Sequence, residues 1–354
     1  MTNRRTIRFA ATTTLLAGLI LSACGSAKSP ATGSPPKTIY FIFTGYTPPY
    51  FAPMAQGIQK AAAHYPNLKI KILSANGSSS TEITDIHEAV AAGAKGIILN
   101  PIDSSVTPAA NQAMAQGVPV VTIDRDVSSP SARIAFIGDK DVVLGQKEAA
   151  AGLSWLASRH VPKPWHVVIL QGTVGSSTAI DRLKGATEAL APYVASGSVK
   201  VVLSQSANFD TATAQSLMNT ELAKSTNIQL VIAGNDAMAL GAINAFKAHS
   251  ITPGTTVGIV GADAQPESLS AIASGTQVAT VSHSPFVEAF WAVEAMDNYL
   301  AHHIKPPAST FPGGNVTIPM TAVTKANVAG ISAWGTPSTV PPLPYGTSSP
   351  YPSN

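Results

Sequence analysis

The sequence predicts an α/β protein built as two doubly wound parallel-sheet lobes. Three observations predict it. Short Val- and Ile-rich runs alternate with stretches of helical periodicity, the pattern of a parallel sheet with helices on both faces. The runs are too many for one ordinary open sheet. Two stretches also look alike: residues 96–126 and 230–263 each read as strand, polar turn, helix, Gly/Pro turn, and a strand ending in aspartate.

Taken in order, residues 38–43 (TIYFIF) form a strand followed by the loop GYTPPYF, and a helix then carries Met54, Ile58, Ala61 and Tyr65 at helical spacing. Residues 69–73 (KIKIL) form the next strand. Thr81 is expected to cap a helix with Ile83, Ile86 and Val90 on one side, stopped at Gly93. A strand over 97–99 precedes a helix over about 107–116, a stop at Gly117, and the run VPVVTI leading into Asp124, Arg125 and Asp126. A near-continuous Val/Ile run is a buried parallel strand. Strands over 132–137, 166–170, 199–203, 230–233, 256–260 and 278–281 follow. Helices lie between most of them. A long helix over 286–302 and a short late strand over 316–318 complete the folded part.

The ends have other chemistry. Arg4, Arg5 and Arg8 precede a mostly apolar stretch, and Leu21-Ser22-Ala23-Cys24 closes it. This is a secretory signal over 1–23, and its last four residues resemble the bacterial lipoprotein box, which implies that Cys24 is lipidated. The apolar run is short for a membrane span. Residues 24–37 are rich in Gly, Ser and Pro and read as a tether. Residues 335–354 are similar and read as an extended or disordered tail.

Of 354 residues, 45% are hydrophobic and only 12% charged, so large cores are possible. The net charge of +3 comes from 22 Lys and Arg against 19 Asp and Glu; without the three signal arginines the mature chain is balanced. No basic stripe argues for nucleic acid. Cys24 is the only cysteine, so no intramolecular disulfide holds the fold.

Open α/β sheets hold ligands at the carboxyl ends of their strands. Past those ends come Tyr50, Phe51, Asp124 and Arg125 in the first lobe, and Arg182, Phe209, Asn235 and Asp263 in the second, with His283 on a late strand between them. Planar donors and acceptors beside aromatic rings suit a sugar, whose hydroxyls donate and accept and whose C–H face lies on a ring. Each residue alone also has a structural reading: Asn235 as a helix cap, Tyr50 and Phe51 as core, Arg182 as a solvated helix residue, His283 as a satisfied strand-end histidine. GxSxG, HExxH and a Walker lysine are absent. His302-His303 lack partners at metal spacing, so neither metal nor cofactor is expected.

From about residue 37 to 326, the runs PPYFAPMAQGIQKAA, IILNPIDSS, GVPVVTIDRD, LQGTVGSSTAIDR, SANFD, AGNDAMALGA and GADAQPES resemble the ribose-binding-protein branch of bacterial periplasmic sugar-binding proteins, the solute-binding lipoproteins of ABC importers. The resemblance implies the type I periplasmic binding fold and a ligand pocket falling on Tyr50, Phe51, Asp124, Arg125, Arg182, Phe209, Asn235, Asp263 and His283. It implies discontinuous lobes, 38–138 with 284–312 and 139–283 with 313–326, crossing near Gly138, His283 and Gly313. It implies a small sugar or polyol, an importer permease and, through Cys24, the membrane as partners of a monomeric extracytoplasmic protein that is not an enzyme. Pro48, Tyr50 and His283 stand where the ribose branch has asparagine, phenylalanine and glutamine. The ligand class is therefore a pentose, hexose or polyol rather than ribose in particular, with Tyr50 adding a hydroxyl. A sensory receptor of the same fold is the alternative that a neighbouring permease gene would exclude; a glycoside-processing enzyme is the one that unchanged, tightly bound sugar would exclude. Asp124→Ala or Arg182→Ala is expected to abolish binding and leave the fold intact.

Overall fold

A computed structural model describes residues 35–346 and 351–352. The expected signal, Cys24 and nearly all of the tether lie outside the described residues. The first sheet contains β1 (Lys37–Phe43), β2 (Leu68–Ser74), β3 (Gly96–Asn100), β4 (Val120–Ile123), β5 (Ala135–Gly138) and β11 (Asn315–Thr317), in the order β11-β5-β4-β3-β1-β2. All of its pairings are parallel. The second contains β6 (Trp165–Gln171), β7 (Val199–Ser206), β8 (Leu230–Ala233), β9 (Gly258–Ala262), β10 (Ala279–Ser282) and β12 (Thr321–Thr324), in the order β12-β10-β9-β8-β6-β7. Only the β10–β12 pairing is antiparallel there.

Each sheet is covered on both faces, so its central strands carry no polar side. In the first lobe α1 (Phe51–His64) and α9 (Pro285–His302) pack on one face with Phe41, Phe43 and Ile98, while α2 (Ser79–Ala91) and α3 (Thr107–Ala115) pack on the other with Ile42, Ile97 and Leu99. In the second, α6 (Thr211–Lys224) and α7 (Asp236–Ala248) cover one face and α4 (Asp141–Ser158) and α5 (Ser177–Ala195) the other. A fully buried Phe or Ile contributes roughly 1.5–3 kcal/mol relative to exposure. Gly145 of α4 and Gly185 of α5 let these helices touch: a Cβ on Gly145 would strike the Arg182 carbonyl, and one on Gly185 the Val142 carbonyl. This close crossing holds Arg182 at its place along α5.

Several expectations change. Ser78, not Thr81, caps α2, accepting the Thr81 N–H at 3.2 Å; the helix begins earlier than its apolar positions suggest. Helix α8 (Pro266–Ser274) and strand β12 have no counterpart in the sequence reading. The third crossing lies beyond Gly313: Asn315–Thr317 still pairs with β5, so the chain changes sheets over 318–320. The described residues of the tail are packed rather than loose. Val340, Leu343 and Tyr345 are buried in the first lobe's core, Trp291 Nε1 donates to the Pro341 carbonyl at 2.7 Å, and Tyr351 stacks on Phe290 with ring centres 4.9 Å apart. Among the described residues no helix is long and apolar enough to cross a membrane.

Candidate functional site

The carboxyl ends of both sheets face one cleft. At its mouth the lobes touch: Ser104 N–H donates to the Gly175 carbonyl at 3.3 Å, and Asp126 N–H to Ser177 Oγ at 2.8 Å. Inside lies a narrow cavity lined by Tyr50, Phe51, Asp124 and Arg125 from the first lobe and Arg182, Phe209, Asn235 and Asp263 from the second, together with Pro48 and Thr178.

Each lining group is held by its element. Asp124 follows β4, its N–H bonded to the Ile137 carbonyl, and Asp263 follows β9 with the same bond to Val281. The two are equivalent positions of the repeated unit. Asp124, Phe209 and Asp263 all have left-handed backbone, with φ of 59°, 56° and 108°. Non-glycine residues there persist only where the surroundings over-determine them, and they cluster at functional sites. Asn235 does two things. Its Oδ1 caps α7 by accepting the Met238 N–H at 3.0 Å, and its side chain also borders the cavity.

The charges are paired. Asn100 Nδ2 donates to Asp124 Oδ2 at 2.9 Å, and Arg125 Nε lies 3.7 Å from the same oxygen. Arg125 donates to the Ile102 carbonyl and is sandwiched between Phe51 and Phe209, with its guanidinium carbon 5.5 Å from each ring centre. Arg182 donates from Nε to Asp141 Oδ1 and from Nη1 to the Gly234 carbonyl, both at 2.8 Å, and lies 3.6 Å from Asp263. Burial alone would lower the Arg182 pKa, but Asp141 and Asp263 outweigh it and hold the guanidinium firmly charged. Burial lowers Arg125 and raises Asp124, each opposed by the other's charge.

His283 does not reach the cavity. It lies just past β10, 1% exposed, behind Tyr50. Its Nδ1 is 2.6 Å from Asp139 Oδ2 and its Nε2 2.9 Å from Asp263 Oδ1. Burial disfavours the imidazolium, but these carboxylates more than offset it, and the pKa lies well above the usual 6.5. The hydroxyl of Tyr50 is 2.9 Å from His283 Nδ1 and donates to Glu288 Oε2 at 3.3 Å. Tyr50 therefore turns its ring to the cavity and its hydroxyl to the hinge, contrary to the expected extra donor for a ligand. Burial, then Asp139 and Asp124, push Glu288 well above the usual carboxylate range. Asp139, His283 and Glu288 bring one ligand atom each within 4.8 Å of one another, a spacing that could hold a metal ion. Both His283 nitrogens already face carboxylates, and ion pairing accounts for the cluster.

Sequence reading missed Thr178, Asn100 and Asp141. Thr178 sits one helical turn before Arg182 on α5, and that i, i+4 spacing was the available signal. Asp141 opens α4, and its partner Arg182 lies 41 residues away, a separation without a local signal.

A profile of the periplasmic binding protein domain family matches residues 39–303. The ribose import binding protein of Bacillus subtilis is 32% identical over 253 residues, covering 71% of this chain and 78% of that one. The galactofuranose-binding protein of Escherichia coli is 29% identical over 312 residues, covering 86% and 95%. The crystal structure of the Caulobacter myo-inositol binding protein, bound to myo-inositol, superposes with a TM-score of 0.74 at 27% identity, covering 85% of this chain and 98% of that one.

Proposed function

The chain belongs to the periplasmic binding protein domain family, whose matched relatives are sugar-binding proteins rather than enzymes, and from that membership we propose that it clasps a monosaccharide or similar polyol, unaltered, between its lobes. It acts outside the cytoplasm, anchored by lipid on Cys24, and hands its ligand to an ABC importer. Tyr50, Phe51, Asp124, Arg125, Arg182, Phe209, Asn235 and Asp263 are its binding residues; His283 supports Tyr50 from behind.

The observation that carries this reading is the balance of charge in the cavity wall. Its charged groups are two aspartates, Asp124 and Asp263, and two arginines, Arg125 and Arg182, each within 4 Å of a partner of opposite sign. No net charge remains to be matched, so the ligand is neutral, while the unfilled lone pairs and N–H groups call for hydroxyls. Arg125 Nε is buried and has no hydrogen-bond acceptor, so it is a donor open to such a group. Hydrogen bonds to charged groups contribute roughly 1.5–3 kcal/mol each. The rings of Phe51 and Phe209, from opposite lobes, supply apolar surface for C–H groups.

The lobes work by population shift. A ligand touches both sets of residues only when they are shut, so binding favours closure. Because β10 leads through His283 directly into α9, and β5 through Asp139 into α4, two crossings run just behind the Tyr50 and Asp263 wall of the cavity, where closure is felt.

A thermal-shift screen over pentoses, hexoses, polyols and nucleosides, followed by calorimetry, tests the reading. A neutral polyhydroxy ligand that raises the melting point and binds one per chain is expected. Stabilisation only by nucleosides or by charged solutes would overturn the ligand class. Recovery of chemically altered sugar would overturn the binding-only function.

A further inference from the structure

The C-terminal segment crosses the hinge on a path of its own. A 3-10 turn over Ala333–Gly335 lies against α8 of the second lobe and α9 of the first. Trp334 N–H donates to the Ala264 carbonyl at 2.8 Å, and Ala264 follows β9 in the second lobe. The indole lies on the other side of the hinge, edge-on to Tyr50 with ring centres 6.2 Å apart, and packs on the first lobe's core. Gly335 runs against the second crossing: a Cβ there would collide with Ser282 Oγ and the His283 carbonyl. Beyond it, Val340, Leu343 and Tyr345 are buried in the first lobe.

The backbone at this point is held in an unusual state. Trp334 has φ 57° and Gly335 φ 58°. A bulky residue keeps left-handed backbone only where its surroundings impose it. Here the imposing contacts come from both lobes at once.

We propose that residues 332–346 are a fourth tie between the lobes, and that Trp334 within it is a positioning residue which sets the Tyr50 ring against the ligand. The inference rests on the proposed binding role of the Tyr50 wall. The three crossings through Asp139, His283 and residues 318–320 are continuous chain and act as pivots. The tie is also continuous chain, running on from β12 of the second sheet, but it passes over the outside of the hinge. It is anchored in the second lobe by β12, by contacts with α8 and by the Trp334–Ala264 hydrogen bond, and in the first by a buried apolar patch, so its length limits how far the lobes part. Limiting the opening keeps the ligand-free protein closer to its closed form and reduces the reorganisation that binding must offset. The indole acts through Tyr50 alone, since it does not line the cavity.

Two perturbations separate the parts. Inserting a short Gly/Ser segment after exposed Ser338 slackens the tie while the apolar anchor keeps its place. Small-angle scattering of the ligand-free insertion variant is expected to give a larger radius of gyration than wild type, with the two equal when a sugar is bound. Its affinity is expected to fall roughly tenfold, as for a tenfold smaller closed fraction. Equal ligand-free radii would overturn the tie. Trp334→Ala is expected to lose roughly tenfold in affinity and Trp334→Phe, which keeps a ring beside Tyr50, to retain it. Wild-type affinity in Trp334→Ala, or equal losses in both variants, would overturn the positioning role. The ligand-free scattering is independent of any ligand, so it decides the tie even if no sugar binds any variant, in which case it is the proposed ligand class that fails.

Discussion

Replacing Arg182 with methionine tests the charge arrangement at the centre of the cleft. The side chain is 5% exposed and holds three partners: Asp141 at 2.8 Å, the Gly234 carbonyl at 2.8 Å, and Asp263 at 3.6 Å. Methionine fills much the same space and removes the cation. Two carboxylates then share a dry site without it. Breaking a buried pair by removing one partner costs about 3–5 kcal/mol. At about 2 °C per kcal/mol for a chain of this size, the ligand-free protein should melt roughly 6–10 °C lower at neutral pH. Arg182→Met is therefore expected to lose both stability and sugar binding, whereas the sequence alone suggests that the fold is spared. A second substitution separates the two losses. Burial, opposed by Arg182, already raises the Asp141 pKa to about 7, so Asp141 is the carboxylate most readily relieved of its charge. Arg182→Met with Asp141→Asn should regain part of the melting temperature and none of the affinity. Calorimetric melting without ligand and titration with the sugar identified by screening are the assays. A single variant melting within about 2 °C of wild type, or a double variant no more stable than the single, would refute the reasoning.

Asp124→Ala removes the acceptor held by Asn100 and Arg125 and should weaken binding by about 2–5 kcal/mol, read by titration calorimetry. Gly145→Ala drives a methyl group into the Arg182 carbonyl at the α4–α5 crossing; a loss of about 1–3 kcal/mol is expected in chemical denaturation. Stability should also fall with rising pH. Burial raises Glu82, Glu148 and Asp236 to about 8 each, above their ordinary carboxylate values. The folded state therefore keeps protons that the unfolded chain gives up, so the stability they contribute is full below about pH 4 and is lost as pH rises through about 8. Glu82→Gln should flatten the dependence of melting temperature on pH over that range; an unchanged profile would contradict the assignment.

The parts of the fold legible in the sequence are those written in local pattern. The run 118–123 reads as a strand and the residues after it as site candidates, because a Val/Ile stretch that stops at Asp-Arg-Asp can only stop at a sheet edge. Helix α8 escapes such reading because its start, GADAQPES, has the composition of a loop. The tail misleads for a related reason: Pro- and Ser-rich chain usually buries nothing, yet Val340, Leu343 and Tyr345 are spaced well enough to be docked by an existing surface. The roles of Tyr50 and His283 are beyond local reading. Their contact joins residues 233 positions apart, and only the hinge brings them together.

Helix α9 has a consequence for how the molecule is made. It supplies much of the apolar surface packed on β3, β4 and β5, yet it is encoded after every strand of the second sheet except β12. A chain emerging amino end first can assemble β6 to β10 and their helices while one face of the first sheet still lacks the part of its cover that α9 supplies. The half that begins the polypeptide is thus the half that matures last, and until residue 302 arrives it exposes a bare flank to any chaperone or translocase that prefers unfinished cargo.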